Sequence, residues 1–100
     1  MKIVNVKSVL GQEQTPSNDG YRLAEHLLSE RMSLANVILD VTDLAPEDLV
    51  SSFVNAFLFR LQQANVDVAR APGISWRTRF PSEAERLSEL VRLYIEDDSA

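Results

Sequence analysis

Two adjacent serines, Ser51 and Ser52, follow a turn rich in carboxylates, and this stretch is the part of the chain best suited to chemistry. The acids here include Asp40, Asp43 and Asp48. Carboxylates at the end of a strand lie where open α/β sheets bind ligands, and three of them can hold a hard cation. Their spacing matches no regular cation-binding loop, so a solvated or capping role is favoured. No metal or cofactor is predicted.

Few other side chains offer a nucleophile or a base. The chain has no cysteine and one histidine, His26, which excludes disulfides, thiolate catalysis and zinc sites built from cysteines or several histidines. His26 lies off the apolar stripe of its predicted helix, and no serine or cysteine motif accompanies it. We therefore expect it at the surface or its boundary, and we expect the protein not to be an enzyme.

The composition predicts one globular domain spanning residues 1–100. Its 100 residues are 45% hydrophobic and 25% charged, enough for a single core. No apolar run approaches the ~20 residues that cross a bilayer, and the N-terminus lacks the features of a signal peptide, so the expected location is the cytoplasm. A formal net charge of −5 argues against nucleic-acid binding, which usually needs a basic face.

The candidate site lies between the central predicted strand, residues 34–41, and a very apolar helix that ends near Asn65. Apolar residues cover more than one stripe of this helix, so it should be packed between other elements with only a narrow side in water. Two starts for the helix stay open. Pro46 suits a first turn, with acids after it to favour the helix dipole. Alternatively, the helix begins near Ser51 and residues 43–50 form a loop.

The N-terminal part of the chain predicts one strand and one helix. Residues 2–10 are rich in β-branched side chains and read as the first strand. A polar loop over residues 12–20 follows it, and a helix over residues 19–32 comes next. Its side-chain cap is one of three neighbouring residues, Ser17, Asn18 or Asp19.

The C-terminal part predicts a hairpin and a last helix. Residues 66–68 and 74–80 read as two strands joined by a Pro-Gly turn. A capping box over residues 82–85 opens an amphipathic helix that ends near Glu96, before a frayed acidic tail at 97–100. The whole order is β-α-β-α-β-β-α, an α/β fold in which a small mixed sheet of about four strands packs with three helices.

Trp76 lies in the one basic and aromatic cluster of the sequence, with Arg70, Arg77 and Arg79. Tryptophan and arginine are common at the centres of interfaces, so these residues are candidates for partner binding. The favoured alternative is an edge strand whose arginines discourage aggregation between sheets. A homodimer assembled through the hairpin over residues 66–80, with Trp76 between the subunits, is a further possibility.

The stretch from Val37 to Leu61 resembles a known family. The residues that carry the resemblance are Val37-Ile38-Leu39-Asp40-Val41, Leu44, Ser52-Phe53, Asn55-Ala56-Phe57-Leu58 and Leu61. Together with the βαβαβ order over residues 1–70, they resemble the STAS-like family of small bacterial domains of unknown function, which are related to the anti-sigma factor antagonists. In those antagonists, a serine at the start of the corresponding helix is phosphorylated by a partner kinase, and the unmodified form docks on that kinase.

The resemblance implies a regulatory module that acts through protein–protein contact. It makes Ser51 or Ser52 the phosphoacceptor, and it implies an ATP-binding, kinase-like regulator as the partner, docked on the turn 43–53 through Asp43, Asp48 and Phe53. The two serines also fit capping or small packing roles. The rival hypothesis is a small ligand-binding or enzymatic domain that uses Asp40 and Asp43.

Overall fold

Three short strands alternate with helices in a computed structural model of the chain, which describes residues 2–12 and 14–98. The strands and helices are β1 (Lys2–Asn5), α1 (Val6–Leu10), α2 (Pro16–Ser29), β2 (Val37–Asp40), α3 (Ser51–Gln63), β3 (Ser75–Arg77) and α4 (Pro81–Asp98). Short 3-10 turns span Leu34–Asn36, Pro46–Asp48 and Val68–Gly73. None of these described helices combines the length and the apolar character that a membrane crossing requires.

The strands form a parallel sheet in the order β1-β2-β3, with Val4 opposite Leu39 and Leu39 opposite Trp76. The connection from β1 to β2 and the connection from β2 to β3 move in the same direction across the sheet. Right-handed crossovers therefore place α2 and α3 on the same face, where they pack side by side. Val4 and Leu39 are buried under these helices, whereas Ile3 points to the opposite face and is half exposed.

Helices α2 and α3 approach each other most closely at Gly20. A Cβ atom on Gly20 would lie 2.1 Å from the carbonyl oxygen of Phe53 and 3.2 Å from the amide nitrogen of Phe57. Both phenylalanine side chains are fully buried. Gly20 is therefore needed for the backbone contact that joins the two helices over the core.

Helix α2 ends in a Schellman motif. The amide of Met32 donates to the carbonyl of Leu27 at 3.0 Å, and the amide of Arg31 donates to Leu28 at 3.1 Å. Arg31 itself takes the left-handed conformation, with φ of 53°. Glycine is usual at this position, so an arginine there is a departure from the common pattern.

Helix α3 ends in the same way. The amide of Val66 donates to Leu61 at 3.0 Å, the amide of Asn65 donates to Gln62 at 2.9 Å, and Asn65 has φ of 64°. Asparagine tolerates this conformation better than arginine does.

A capped 3-10 turn follows each of the two motifs. The hydroxyl of Ser33 accepts from the amide of Ala35 at 3.3 Å, and the carboxylate of Asp67 accepts from the amide of Ala69 at 3.0 Å. Strands β2 and β3 come next. The two connections from helix to strand are therefore local copies of each other.

The predicted α/β class is confirmed, but the four-stranded mixed sheet is wrong for the part of the chain that the structure describes. The residues predicted as a third strand, 66–68, instead close α3 and enter the 3-10 turn Val68–Gly73. Asp67 caps that turn. No hairpin forms over residues 66–80, because β3 pairs in parallel with β2. The STAS-like order of elements is not confirmed either.

The ends of several predicted elements also shift. The first strand stops at Asn5, since the side chain of Asn5 accepts from the amide of Ser8 at 2.9 Å and starts α1. Thr15 caps α2, not one of the three predicted residues, and Pro16 opens the helix. Helix α3 begins at Ser51, which decides between the two starts left open by the sequence.

Helix α4 is longer than predicted at both ends. It starts at Pro81, so the predicted capping serine, Ser82, lies inside its first turn. At the other end it includes Asp97 and Asp98, which were predicted to belong to a frayed tail. Residues 99–100 of that tail lie outside the described residues.

Candidate functional site

Ser51 and Ser52 occupy the first turn of α3, and both are exposed. Val50 precedes them as the N-cap residue and gives the helix no side-chain cap, and the first turn contains no acid. The first amides of a helix lack partners within it and carry the positive end of the dipole. The two hydroxyls thus lie beside a positive potential that no side chain of that turn neutralises.

A shallow groove runs along α3 from Ser52. Ser52, Asn55, Ala56 and Phe59 recur at intervals of three or four residues and form one stripe of the helix. Ser17 of α2 and Tyr94 of α4 complete a groove of about 400 Å³, which we call the α3 groove. Phe59 is 52% exposed. The candidate serine and a solvent-exposed aromatic side chain therefore border one surface.

The sequence missed Phe59 as a site residue. The apolar pattern showed that α3 would have only a narrow side in water, and Phe59 lies on that side. An exposed phenylalanine on the hydrated side of a sandwiched helix was the signal that could have identified it.

The predicted contact residues of the turn differ in accessibility. Asp43 is exposed, and its carboxylate accepts from the side-chain amide of Asn5 at 3.2 Å. Asp48 is partly buried in the 3-10 turn before α3. Phe53 is fully buried in the core. Of the three, Asp43 presents its side chain most openly to a partner, and Phe53 presents none of its ring.

The loop before α3 is fixed by two polar side chains. The carboxylate of Asp40 accepts from the amide and the hydroxyl of Thr42, at 3.0 Å and 2.6 Å. The guanidinium of Arg79 donates to the carbonyls of Thr42 and Leu44, at 2.6 Å and 3.3 Å. These contacts tie the β2–α3 loop to the segment after β3.

Its contacts keep Asp40 ionised. The hydroxyl of Thr42 lowers the pKa of Asp40 most, burial opposes it with the next largest effect, and the amide of Thr42 and the charge of Arg77 lower the pKa further. A general acid near neutral pH needs a raised pKa, so the environment of Asp40 favours a structural role.

The sheet order bears on the rival ligand-binding hypothesis. Open α/β sheets form a ligand crevice where the strand order reverses, and the order β1-β2-β3 has no reversal. Both candidate carboxylates accept hydrogen bonds, Asp40 from Thr42 and Asp43 from Asn5. Among the described residues, no three acidic or imidazole side chains converge closely enough to hold a metal ion.

The predicted basic and aromatic cluster is spread over both ends of β3. Arg70 is exposed in the 3-10 turn before the strand, whereas Arg79 follows the strand and binds the β2–α3 loop. Trp76 is half-buried and meets Phe57 edge-on, with ring centroids 6.4 Å apart. Exposed Arg77 lies near the carboxylate of Asp40. The structure does not bring the four side chains into one patch.

A buried carboxylate, Asp19, was also missed as an organising residue. It is 1% exposed and accepts from the amide of Gln14 at 3.0 Å and from the guanidinium of Arg22 at 3.3 Å. Arg22 in turn donates to the carbonyls of Gln12 and Leu10. The Asp-x-x-Arg spacing on a helix was the available signal. His26 is half-buried in the last turn of α2.

Comparison of the chain with protein-family models, with curated proteins and with solved structures gave no match. The family resemblance of the stretch 37–61 therefore rests on its own residues.

Proposed function

We propose that this protein is a non-enzymatic regulatory module that docks on a partner protein through the start of α3 and the α3 groove. The partner suggested by the STAS-like resemblance is an ATP-binding, kinase-like regulator. Phosphorylation of Ser51 or Ser52 controls docking. The observation that carries the proposal is the position of the exposed Ser52 hydroxyl at one end of a groove that also contains the half-exposed ring of Phe59.

The groove has the chemistry of a protein-binding surface. Phe59, Ala56 and Tyr94 provide apolar area, and Asn55 and Ser52 provide hydrogen-bonding groups beside it. Buried aromatic anchors with a polar rim carry most of the affinity in protein interfaces. A partner side chain that covers Phe59 would bring the Ser52 hydroxyl into the same interface.

The start of α3 is suited to carrying a phosphate. The modification adds about −1.5 to −2 charges, and the positive end of a helix stabilises such charge. The first turn itself has no acid, and the nearest acids in sequence, Glu47 and Asp48, lie in the 3-10 turn before it. The same charge would lie beside the apolar surface around Phe59, where docking would have to desolvate it. Phosphorylation therefore leaves the fold intact and weakens docking.

Phosphotransfer is tested by incubating the protein with ATP and kinase fractions from the native host, followed by mass spectrometry. The phosphate is expected on Ser51 or Ser52, and a Ser51→Ala/Ser52→Ala variant should accept none. Ser17, which borders the same groove, serves as an internal control. Modification at Ser17 alone would contradict the assignment.

Docking is tested by comparing partner capture by the wild type with capture by Phe59→Ala and by Ser51→Glu/Ser52→Glu. Ile3→Ala is the matched control, because Ile3 is exposed to the same degree as Phe59, 53% against 52%, but lies on the sheet face away from α3. Both test variants should lose a partner that Ile3→Ala retains, and circular dichroism should show all of them folded. Retention by Phe59→Ala would exclude the α3 groove as the interface.

A further inference from the structure

A second surface lies at the N-terminal ends of the strands, along the two similar connections from helix to strand that follow α2 and α3. Two adjoining hollows of about 570 Å³ and 220 Å³ share Met32 and Ser33. Lys2 and Arg31 line the first hollow and Arg70 lines the second. We call the pair the cationic groove, and we propose that it binds an acidic segment of a partner protein.

The cations of this groove have no partner among the described residues. Within residues 2–12 and 14–98, four lysine or arginine side chains make no hydrogen bond, ion pair or ring contact, namely Lys2, Arg31, Arg70 and Arg86. Three of the four line the cationic groove. In a chain with a net charge of −5, this concentrates the available positive charge at one place.

The conformation of Arg31 is a second, independent observation. Arg31 holds the left-handed position that closes α2, with φ of 53°, where glycine would fit at lower cost. The unfavourable choice places an arginine in the lining of the groove. Strained residues of this kind persist where the side chain has a use.

Carboxylates suit this groove better than a nucleic-acid backbone does. Glu30 and Asp67 also line it, and with the acidic remainder of the chain they would repel a dense row of phosphates. A peptide that carries a few spaced carboxylates can pair with Arg31 and Arg70 in bidentate fashion and avoid the two acids.

The cationic groove is separate from the surface of the proposed function. Connections from helix to strand lie at the N-terminal ends of parallel strands, whereas α3 begins beyond their carboxyl ends. The start of α3 and the cationic groove thus lie at opposite ends of the sheet. Variants at one end leave the other unaltered, so each proposal can fail alone.

The test measures binding of a fluorescein-labelled oligoglutamate peptide to the full chain by fluorescence anisotropy at low salt. Arg31→Glu/Arg70→Glu should weaken binding at least about tenfold, since it replaces two attractive contacts by repulsive ones. Arg31→Gly should weaken it about threefold, the effect of one exposed pair. The matched controls are Arg86→Glu, an unpartnered cation elsewhere, and Asn65→Gly, the equivalent position of α3. Both should bind like the wild type.

Four outcomes would overturn the proposal. The wild type binds no peptide, or Arg86→Glu weakens binding as much as the groove variants do. A thymidine oligonucleotide of equal length binds more tightly than the peptide, which would make nucleic acid the ligand. Finally, sedimentation shows self-association that Arg31→Glu/Arg70→Glu abolishes, which would make a second copy the occupant.

Discussion

The first βα unit, β1 to α2, and the second, β2 to α3, end alike and begin differently. Each helix closes with a Schellman motif, and each is followed by a capped 3-10 turn that delivers the next strand. At the other end of the sheet, the loop before α2 contains the short helix α1, whereas the loop before α3 contains only a 3-10 turn.

Different side-chain contacts hold the two loops in place. The loop before α2 is held by an ion pair from its own helix, between buried Asp19 and partly exposed Arg22. The loop before α3 is held by partly buried Asn5 and exposed Arg79, both from the neighbouring strand regions. Loops at the carboxyl ends of strands commonly carry function in α/β folds. The side-chain contacts that hold the loop leading to Ser51 are therefore less buried than those that hold the loop before α2.

The largest expected effect comes from a substitution that disturbs the contact between the two βα units. Gly20→Ala should lower the free energy of unfolding by about 3 kcal/mol or more, because its Cβ would overlap the backbone of Phe53. Gly73→Ala is the control, since a Cβ there would meet its nearest atom, in Ala35, at 3.7 Å. Urea unfolding measures both. A loss below about 1 kcal/mol for Gly20→Ala would show that the helices can separate freely.

The next largest effect concerns the side-chain contacts that hold the two loops. Asp19→Ala should cost about 2 kcal/mol, because it leaves the amide of Gln14 and the guanidinium of Arg22 without their buried acceptor. Asp43→Ala removes an exposed hydrogen bond to Asn5 and should cost less than about 0.5 kcal/mol. Thermal or urea unfolding gives both values. Equal losses would mean that the two loops are held with equal strength.

Comparison of the two Schellman motifs predicts that a substitution at the end of α2 raises the stability of the protein. Arg31→Gly should raise the free energy of unfolding by about 1 kcal/mol, since glycine takes positive φ without strain. Asn65→Gly should change it by less than about 0.5 kcal/mol, because asparagine already tolerates that conformation. If Arg31→Gly were neutral or destabilising in urea unfolding, the arginine would be contributing to the fold itself.

The smallest expected effect depends on pH. Because the folded-state pKa of Asp40 lies below its unfolded value, its ionised form stabilises the fold above about pH 4, and this contribution is lost as the pH falls through the lowered pKa. Asp40→Asn should cost about 0.5 kcal/mol at pH 7 and progressively less toward pH 3.

Thr42→Val provides the control for this titration, because the hydroxyl of Thr42 is the main cause of the lowered pKa. In that background, the loss of stability caused by Asp40→Asn should become less dependent on pH. Unfolding free energies at pH 7 and pH 3 for the wild type, the two single variants and the double variant complete the cycle. An unchanged pH dependence without the hydroxyl would assign the shift to the two causes that remain, the amide of Thr42 and the charge of Arg77.

The sequence predicted the centre of β2 and most of α3 because their signals are long or unambiguous, although residues 34–36, predicted as the start of the strand, form a 3-10 turn. A continuous apolar run such as residues 37–39 suits a strand buried in a sheet, and the broad apolar surface of α3 indicated a helix between other elements. The segment 66–68 has the same composition as a short strand, but hydrogen bonding to Leu61 and the cap at Asp67 decide its structure. Such tertiary and capping contacts leave little trace in periodicity.

The sequence assigned Phe53 to the candidate site, whereas the structure buries Phe53 and exposes Phe59 on the same helix. Without the start of α3, the sequence could not tell which face Phe53 and Phe59 would take. With the helix beginning at Ser51, Phe53 points into the core and Phe59 into water. The cationic groove was not predicted because Lys2, Arg31 and Arg70 are far apart in sequence and meet only through the copied connections.

The strand order has a consequence for how the chain folds. Each strand pairs with the next one in sequence, so each pairing closes a loop of only ~35 residues. We expect rapid folding for a parallel sheet, with β1, α2 and β2 able to associate before the rest of the chain leaves the ribosome. The contact of Gly20 with Phe53 would then add α3 to this unit.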